Sequence, residues 1–297
     1  MKVLVTGGRG QLGRAVARRG AAAGDEVDAP DLDRLDLTDH GAVAAYLALA
    51  RPDLVINAAA YTAVDKAESE PERAFAVNHQ AAAALATACA ARGLRLLHVS
   101  TDYVFDGTSA RPYREDDALA PLGVYGHSKA QGELAVRAAG GTVVRTSWLF
   151  EELGPSFVHT MLRLAGERET LRVVGDQVGC PTWADDLADA LLALGRRGEL
   201  DGCYHFCNDG QTTWHGFAEA IVAQGRAHRA LRCTGIDRIT TAEYPTPARR
   251  PAYSVLDTER IRALGIVPPP WRAGLAHVVA RVLGPAQPGS SLAPGTP

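Results

Sequence analysis

Tyr125 and Lys129 lie four residues apart, a spacing that puts both on one face of a helix. A phenol with a pKa of about 10 is a poor acid-base group at neutral pH unless a cation stabilises its anion. A lysine one turn along supplies that cation and can also hold the ribose hydroxyls of a nucleotide. Only Lys2, Lys66 and Lys129 are lysines among the 31 basic residues, so each is a candidate for chemistry that arginine cannot perform. Gly126, Ser128 and Gly132 surround the pair with small side chains, which are expected to let a bulky cofactor lie against the helix. A third member belongs at the carboxyl end of a strand, where open α/β sheets bind ligands. The apolar run from Leu94 ends in Ser100-Thr101-Asp102. A Thr101 hydroxyl there is placed to donate to the carbonyl that Tyr125 protonates. Asp102 has two readings, support for that geometry or a polar cap.

Gly7, Gly10 and Gly13 stand between the strand Lys2–Thr6 and an Ala-rich helix running to about Ala23. A tight turn, close approach of pyrophosphate to bare backbone, and close packing of helix on sheet each call for glycine there. The phosphates would rest on the positive end of the helix, with no lysine needed. Asp31 and Asp33, just beyond a second strand at Glu26–Ala29, are placed to reach adenosine ribose hydroxyls. An acid there favours NADH and repels a 2′-phosphate, while Arg34 offsets it. Asp36 and Leu37 are placed for the adenine edge. Together the glycine loop, the hydroxyl at a strand end and Tyr-x-x-x-Lys point to carbonyl-alcohol redox with a nicotinamide cofactor.

These residues need a scaffold, and the chain has one. Strand, helix and strand alternate from Lys2 to Ser147, with helices at Asp39–Ala50, Ala74–Arg92 and Tyr125–Ala139 and strands at Asp53–Asn57, Leu94–Ser100 and Thr142–Ser147. This rhythm predicts a Rossmann-like, doubly wound parallel α/β sheet. Residues 1–150 are expected to bind the dinucleotide, with a return helix at about 183–196. Helices are expected at Phe157–Ala165 and Thr213–Ala223, and residues 151–283 are expected mainly to form a smaller substrate-binding domain. The Pro/Gly/Ser-rich end, 284–297, reads as a disordered tail.

With 297 residues, of which 46% are apolar, such a chain buries about 75% of its unfolded surface. It therefore needs neither metal nor disulfide. Its 31 basic and 34 acidic side chains, with a formal charge of -3, give no cationic field for nucleic acid or an acidic membrane. No signal peptide or membrane span is visible, and the five scattered cysteines read as reduced filler; a cytoplasmic location is expected.

Longer segments carry a resemblance over Met1 to about Arg281. They are Gly7–Gly13, Arg51–Ala60, Thr62–Pro71, Ser100–Gly107, Tyr125–Lys129, Arg145–Trp148, Gly175–Thr182, Tyr244–Pro247 and Arg250-Pro251. The sequence resembles the extended short-chain dehydrogenase/reductases, and within them the dTDP-4-dehydrorhamnose reductase family. The resemblance implies catalysis by Thr101, Tyr125 and Lys129. It implies a dinucleotide site including Gly7, Gly10, Gln11, Leu12, Gly13, Asp31, Asp36, Leu37, Ala58, Ala59, Ala60, Thr62, Asn78 and Ser100 beside Tyr125 and Lys129. It implies a sugar site at Val64, Thr101, Asp102, Trp148 and Arg250. The cofactor implied is NADPH, with NADH also accepted. The substrate implied is dTDP-4-dehydro-6-deoxy-L-mannose, reduced to dTDP-L-rhamnose by a monomer or homodimer.

Some members dimerise around magnesium held by glutamates. Arg14 and Ala15 occupy the region where one such acid is expected, so no metal site is assigned. Lys66 either approaches the nucleotide diphosphate or joins Glu68–Glu70 in a solvent-facing charge cluster, and Arg249 and Arg250 are alternative diphosphate clamps. Trp148 is either a wall of the sugar site or interdomain core. Two other functions are carried alongside: 4-ketoreduction of a related dTDP-4-keto-6-deoxyhexose in antibiotic deoxysugar or dihydrostreptose synthesis, and a non-catalytic regulatory subunit.

Overall fold

The computed structural model describes residues 1–198 and 202–284. In chain order, the first half holds β1 (Lys2–Thr6), α1 (Gln11–Ala22), β2 (Glu26–Asp28), α2 (His40–Ala50), β3 (Leu54–Asn57), α3 (Val64–Ala67) and α4 (Pro71–Phe75). A π-helical turn (Ala76–Ala81) leads into α5 (Ala82–Ala90), followed by β4 (Arg95–Thr101), a 3-10 turn (Asp102–Val104), α6 (Val124–Ala138) and β5 (Thr142–Thr146). The second half holds β6 (Leu149–Phe150), α7 (Phe157–Glu167), β7 (Thr170–Val174), β8 (Val178–Gly179), β9 (Thr182–Trp183), α8 (Ala184–Gly195) and β10 (Cys203–His205). It ends with β11 (Thr212–Thr213), α9 (Trp214–His228), β12 (Gly235–Ile239), α10 (Glu259–Arg262) and α11 (Trp271–Leu283).

Six parallel strands form the main sheet in the order β10-β5-β4-β3-β1-β2. The chain runs outward from β1 to β2 and returns through β3, so the switch point falls between β1 and β3. Each apolar strand serves two cores because alternate side chains point to opposite faces. Val3 and Val5 pack with Leu187, Leu191 and Leu194 of α8, whereas Leu4 joins Val43, Leu47 and Leu85 on the other face. Burying each such side chain is worth about 1.5–3 kcal/mol. A separate core of Phe150, Leu162, Phe217, Ile221, Trp271 and Leu275 supports the C-terminal lobe.

Local chemistry sets the helix ends. Asp39 caps α2 by accepting from the Ala42 N–H at 2.9 Å, and Thr213 caps α9 by accepting from Gly216 at 3.0 Å. The return helix, α8, lies on α1, pinned by Arg19 to Asp189.

The helix expected over Ala74–Arg92 is interrupted by the π-helical turn. The segment Gly202–Cys207, which reads only as a weak alternation, contributes β10, the edge strand of the main sheet beside β5. Helix α11 and the parallel β7–β12 pair add to the sequence-based plan. Except for Gly284, the tail expected at 284–297 lies outside the described residues.

Candidate active site

The carboxyl ends of β1 and β3 frame a cradle. Gly7 has φ +69°, and a Cβ there would come within 2.9 Å of the Ala59 backbone. Both the turn and the approach of Ala58–Ala59 therefore demand glycine. A Cβ at Gly13 would collide with the Gly7 carbonyl, so α1 sits directly on the loop. No side chain caps α1 at Gly10, leaving the amides of Gln11, Leu12 and Gly13 at its positive end as donors. Ser100 holds a buried hydroxyl without a partner among the described residues. A bare backbone cradle with uncapped donors fits a dinucleotide's pyrophosphate and ribose.

At the adenosine side, the Asp31 carboxylate accepts from the Arg9 and Leu32 N–H groups, each at 2.8 Å. The Arg9 hydrogen bond is the leading cause that holds this carboxyl below its ordinary range. Arg34 hydrogen-bonds Asp28 (3.1 Å) and Tyr46 (2.8 Å), and its guanidinium also feels the charge of Asp33. Arg9, unremarked in the sequence, meets Asp33. Asp36 spends its carboxylate on Thr38 at 2.7 and 2.8 Å, and Leu37 is buried in the helix–sheet layer. Ala58, Ala59 and Ala60 line the turn after β3, and Thr62 is exposed beyond them.

Asn78 comes from the π-helical turn. Its amide accepts from the Tyr61 N–H at 2.8 Å and donates to the Tyr61 carbonyl at 3.1 Å and Ser128 Oγ at 3.0 Å. The small residues of α6 serve this packing and correct the sequence-based expectation. A Cβ at Gly132 would strike the Asn78 carbonyl, and one at Gly126 the Tyr103 carbonyl. They admit neighbouring backbone rather than cofactor.

The reactive trio sits where β4 meets α6. Thr101, the last residue of β4, donates to Asp102 Oδ1 at 3.0 Å and accepts from the Tyr103 N–H at 3.2 Å. Burial pushes the Tyr125 phenol up to about 12, opposed by the neighbouring Thr101 hydroxyl. Burial likewise raises Asp102 to about 6, with Ser254 and Thr101 hydrogen bonds opposing it. Lys129 is 2% exposed and donates to the Val99 carbonyl at 2.6 Å. Burial pushes its ammonium down to about 8. The expected lowering of the phenol by Lys129 is not found, because the amine is turned to Val99 and His98.

The segment Thr62–Pro71 has a structural role. Glu68 accepts from the Val124 N–H at 2.8 Å, supplying the cap that Gly123 cannot give the Tyr-bearing helix. Asp65 takes Arg250 in a two-pronged ion pair at 3.0 and 2.8 Å, joining the C-terminal segment to this loop. Lys66 pairs with Glu70 at 2.7 Å on the surface. Arg249 is exposed, and Val64 opens α3, half-buried. Trp148 has φ +46°, a left-handed conformation that is strained for so bulky a residue. Its ring stacks on Trp214 at a centroid distance of 3.7 Å.

Sequence reasoning missed Glu68 as a cap, Asp65 as the Arg250 partner and Trp214 as the Trp148 partner. It also missed the buried network in which Arg145 of β5 meets Glu133 of α6 at 2.7 Å and His205 of β10 at 3.1 Å. Only contacts across many residues reveal these roles. A buried arginine in an apolar strand was the available signal.

A family model described as RmlD substrate binding domain matches residues 1–283. The chain is 46% identical over 297 residues to a dTDP-4-dehydrorhamnose reductase of Burkholderia thailandensis, covering 95% of this chain and 99% of that one. It is 41% identical to a probable dTDP-4,6-dihydroxy-2-methyloxan-3-one 4-ketoreductase of Streptomyces antibioticus, over 97% of this chain and 98% of that one. Among solved structures, a dTDP-4-dehydrorhamnose reductase of Bacillus anthracis in complex with NADP aligns with a TM-score of 0.88 at 35% identity. That alignment spans 93% of this chain and 98% of the other.

Proposed function

The chain belongs to the RmlD substrate binding domain family, and from that membership we propose that it reduces the C4 ketone of dTDP-4-dehydro-L-rhamnose to dTDP-L-rhamnose. The observation that carries this reading is the convergence of the Thr101 hydroxyl at the carboxyl end of β4, the Tyr125 phenol at the start of α6 and, one helical turn on, the buried Lys129. NADPH is the proposed cofactor, with NADH as a second donor, and the NADP complex of the Bacillus anthracis relative supports the choice.

Gly7, Gly10, Gln11, Leu12 and Gly13 would hold the pyrophosphate. Asp31, with the backbone at Asp36 and Leu37, would meet the adenosine, and Ala58–Ala60, Thr62, Asn78 and Ser100 would line the rest of the cleft. When bound, the dinucleotide supplies the hydride. Tyr125, protonated at neutral pH, gives its proton to the C4 oxygen, while the Thr101 hydroxyl, turning its one hydrogen from Asp102 to that oxygen, fixes its position. Lys129 holds nicotinamide-ribose hydroxyls. Val64 and Trp148 supply apolar walls for the sugar, and Asp102 steadies Thr101. Arg250 is the proposed diphosphate contact; its engagement by Asp65 means that the phosphate must share or displace that carboxylate. Residues 1–150 with α8 and β10 form the dinucleotide half, and most of 151–283 the sugar half.

A second reading is favoured by one observation, the 41% identity to the Streptomyces antibioticus 4-ketoreductase. It is the same chemistry on a related dTDP-4-keto-6-deoxyhexose. Absorbance at 340 nm with NADPH or NADH and a panel of dTDP-4-keto-hexoses separates the two. The proposal expects the L-rhamnose precursor to give the highest kcat/KM. If no sugar consumes either cofactor, both readings fail, and a regulatory subunit becomes the better account.

A further inference from the structure

We infer that His98 is a positioning residue for Lys129: a one-way hydrogen-bond chain that begins in the dinucleotide cradle makes its Nε2 a donor and presents that N–H to the lysine amine. This inference rests on the reductase reading, in which Lys129 serves the reaction.

The direction of the chain follows from its first member. The Ala59 backbone N–H can only donate, and it donates to Thr6 Oγ1 at 3.3 Å. The Thr6 hydroxyl then donates to Asn57 Oδ1 at 2.7 Å. Turning the Asn57 amide around would aim a second N–H at Thr6 and leave the hydroxyl hydrogen without an acceptor. Asn57 Nδ2 therefore donates to His98 Nδ1 at 2.9 Å. His98 is fully buried, and burial with the nearby Lys129 charge drives its pKa far down, so the ring is neutral. A neutral ring that accepts at Nδ1 carries its hydrogen on Nε2. That atom faces Lys129 Nζ at 3.4 Å.

Two donors facing each other disfavour the ammonium and favour the amine, whose lone pair accepts. Among the charged groups near the Lys129 face of α6, Glu133 favours the ammonium, but its carboxylate is bound to Arg145 of β5. Tyr125 lies one turn back, Asp102 and Tyr103 belong to the 3-10 turn, and the π-helical turn brings Asn78 and His79. Helix α5 carries no charged side chain and only the Cys89 thiol. His98 thus makes Lys129 a readier proton donor, and it does so through contacts that start at the backbone closest to Gly7.

The full-length chain labelled with [ε-13C]lysine gives three resonances, because Lys2, Lys66 and Lys129 are its only lysines. Their pH titration is read without cofactor or sugar, so it does not depend on catalysis. Lys129 should titrate at least about one pH unit below the other two. His98→Gln places an amide carbonyl where the N–H stood, and should raise the Lys129 midpoint by about one unit, a tenfold change in proton affinity. Thr6→Val removes the hydroxyl that orients Asn57 and should move the midpoint in the same direction. The alkaline limb of kcat/KM should follow in both variants. An unchanged or lowered midpoint in the folded variants, with cofactor consumption intact, overturns this inference alone. Absence of cofactor consumption in the parent overturns the reductase reading alone.

Discussion

A phenol raised to about 12 keeps its proton through the neutral range, so Tyr125 meets a ketone as an acid and not as a preformed phenolate. Removing it should cost what a positioned acid contributes, about 10²–10⁴ in kcat. Tyr125→Phe is expected to show that loss while still binding the dinucleotide in a fluorescence titration; near wild-type turnover would reject the acid role. Lys129 makes a prediction of the opposite kind. Its folded pKa of about 8 lies below the ordinary lysine value, so between pH 8 and 10 the unfolded chain binds more protons than the folded one. Unfolding free energy attributable to this group must therefore rise with pH across that window, by on the order of 3 kcal/mol. Denaturant titrations of wild type against Lys129→Met should show their stability difference growing in favour of wild type from pH 8 to 10. A flat difference would contradict a buried, easily deprotonated amine.

Helix α6 shows how an element depends on distant residues. It carries Tyr125 and Lys129, yet Gly123 gives its start no side-chain cap. The cap comes from Glu68, which accepts the Val124 N–H from a different loop. Losing such a cap costs about 1 kcal/mol. Glu68→Ala is thus expected to lower Tm modestly and to reduce kcat more than KM, since the first turn of the helix positions the phenol. A variant with unchanged Tm and kcat would show that this carboxylate does not organise the site. The interrupted helix before α5 makes the same point, because the extra backbone residue of the π-helical turn brings Asn78 onto Tyr61 and Ser128.

Across the whole molecule, the buried Arg145–Glu133 pair ties α6 to β5, and His205 extends it to the edge strand β10. Replacing Glu133 by Gln leaves the Arg145 charge under-compensated and should cost about 3–5 kcal/mol of stability, read as a lower denaturant midpoint. What was legible in the sequence was local. The glycine loop, the alternation of strands and helices up to Thr146, and the Tyr-x-x-x-Lys helix each depend on residues within a few positions of one another. What was not legible depends on pairing over long separations: β10 joining a sheet that otherwise ends at Thr146, the β7–β12 pair, Asp65 meeting Arg250, and His98 reaching Lys129. Short strands such as Cys203–His205 carry too few alternating positions to announce their partners.

The most direct test of the account follows the transferred hydrogen itself. The enzyme is supplied with dTDP-4-dehydro-L-rhamnose and NADPH carrying deuterium at both hydrogens of the nicotinamide C4, and the product is examined by NMR. The account predicts dTDP-L-rhamnose with deuterium at C4 of the sugar, and its near-complete loss as a product in Tyr125→Phe. Deuterium at another sugar carbon, or none in the sugar while cofactor is consumed, would contradict it.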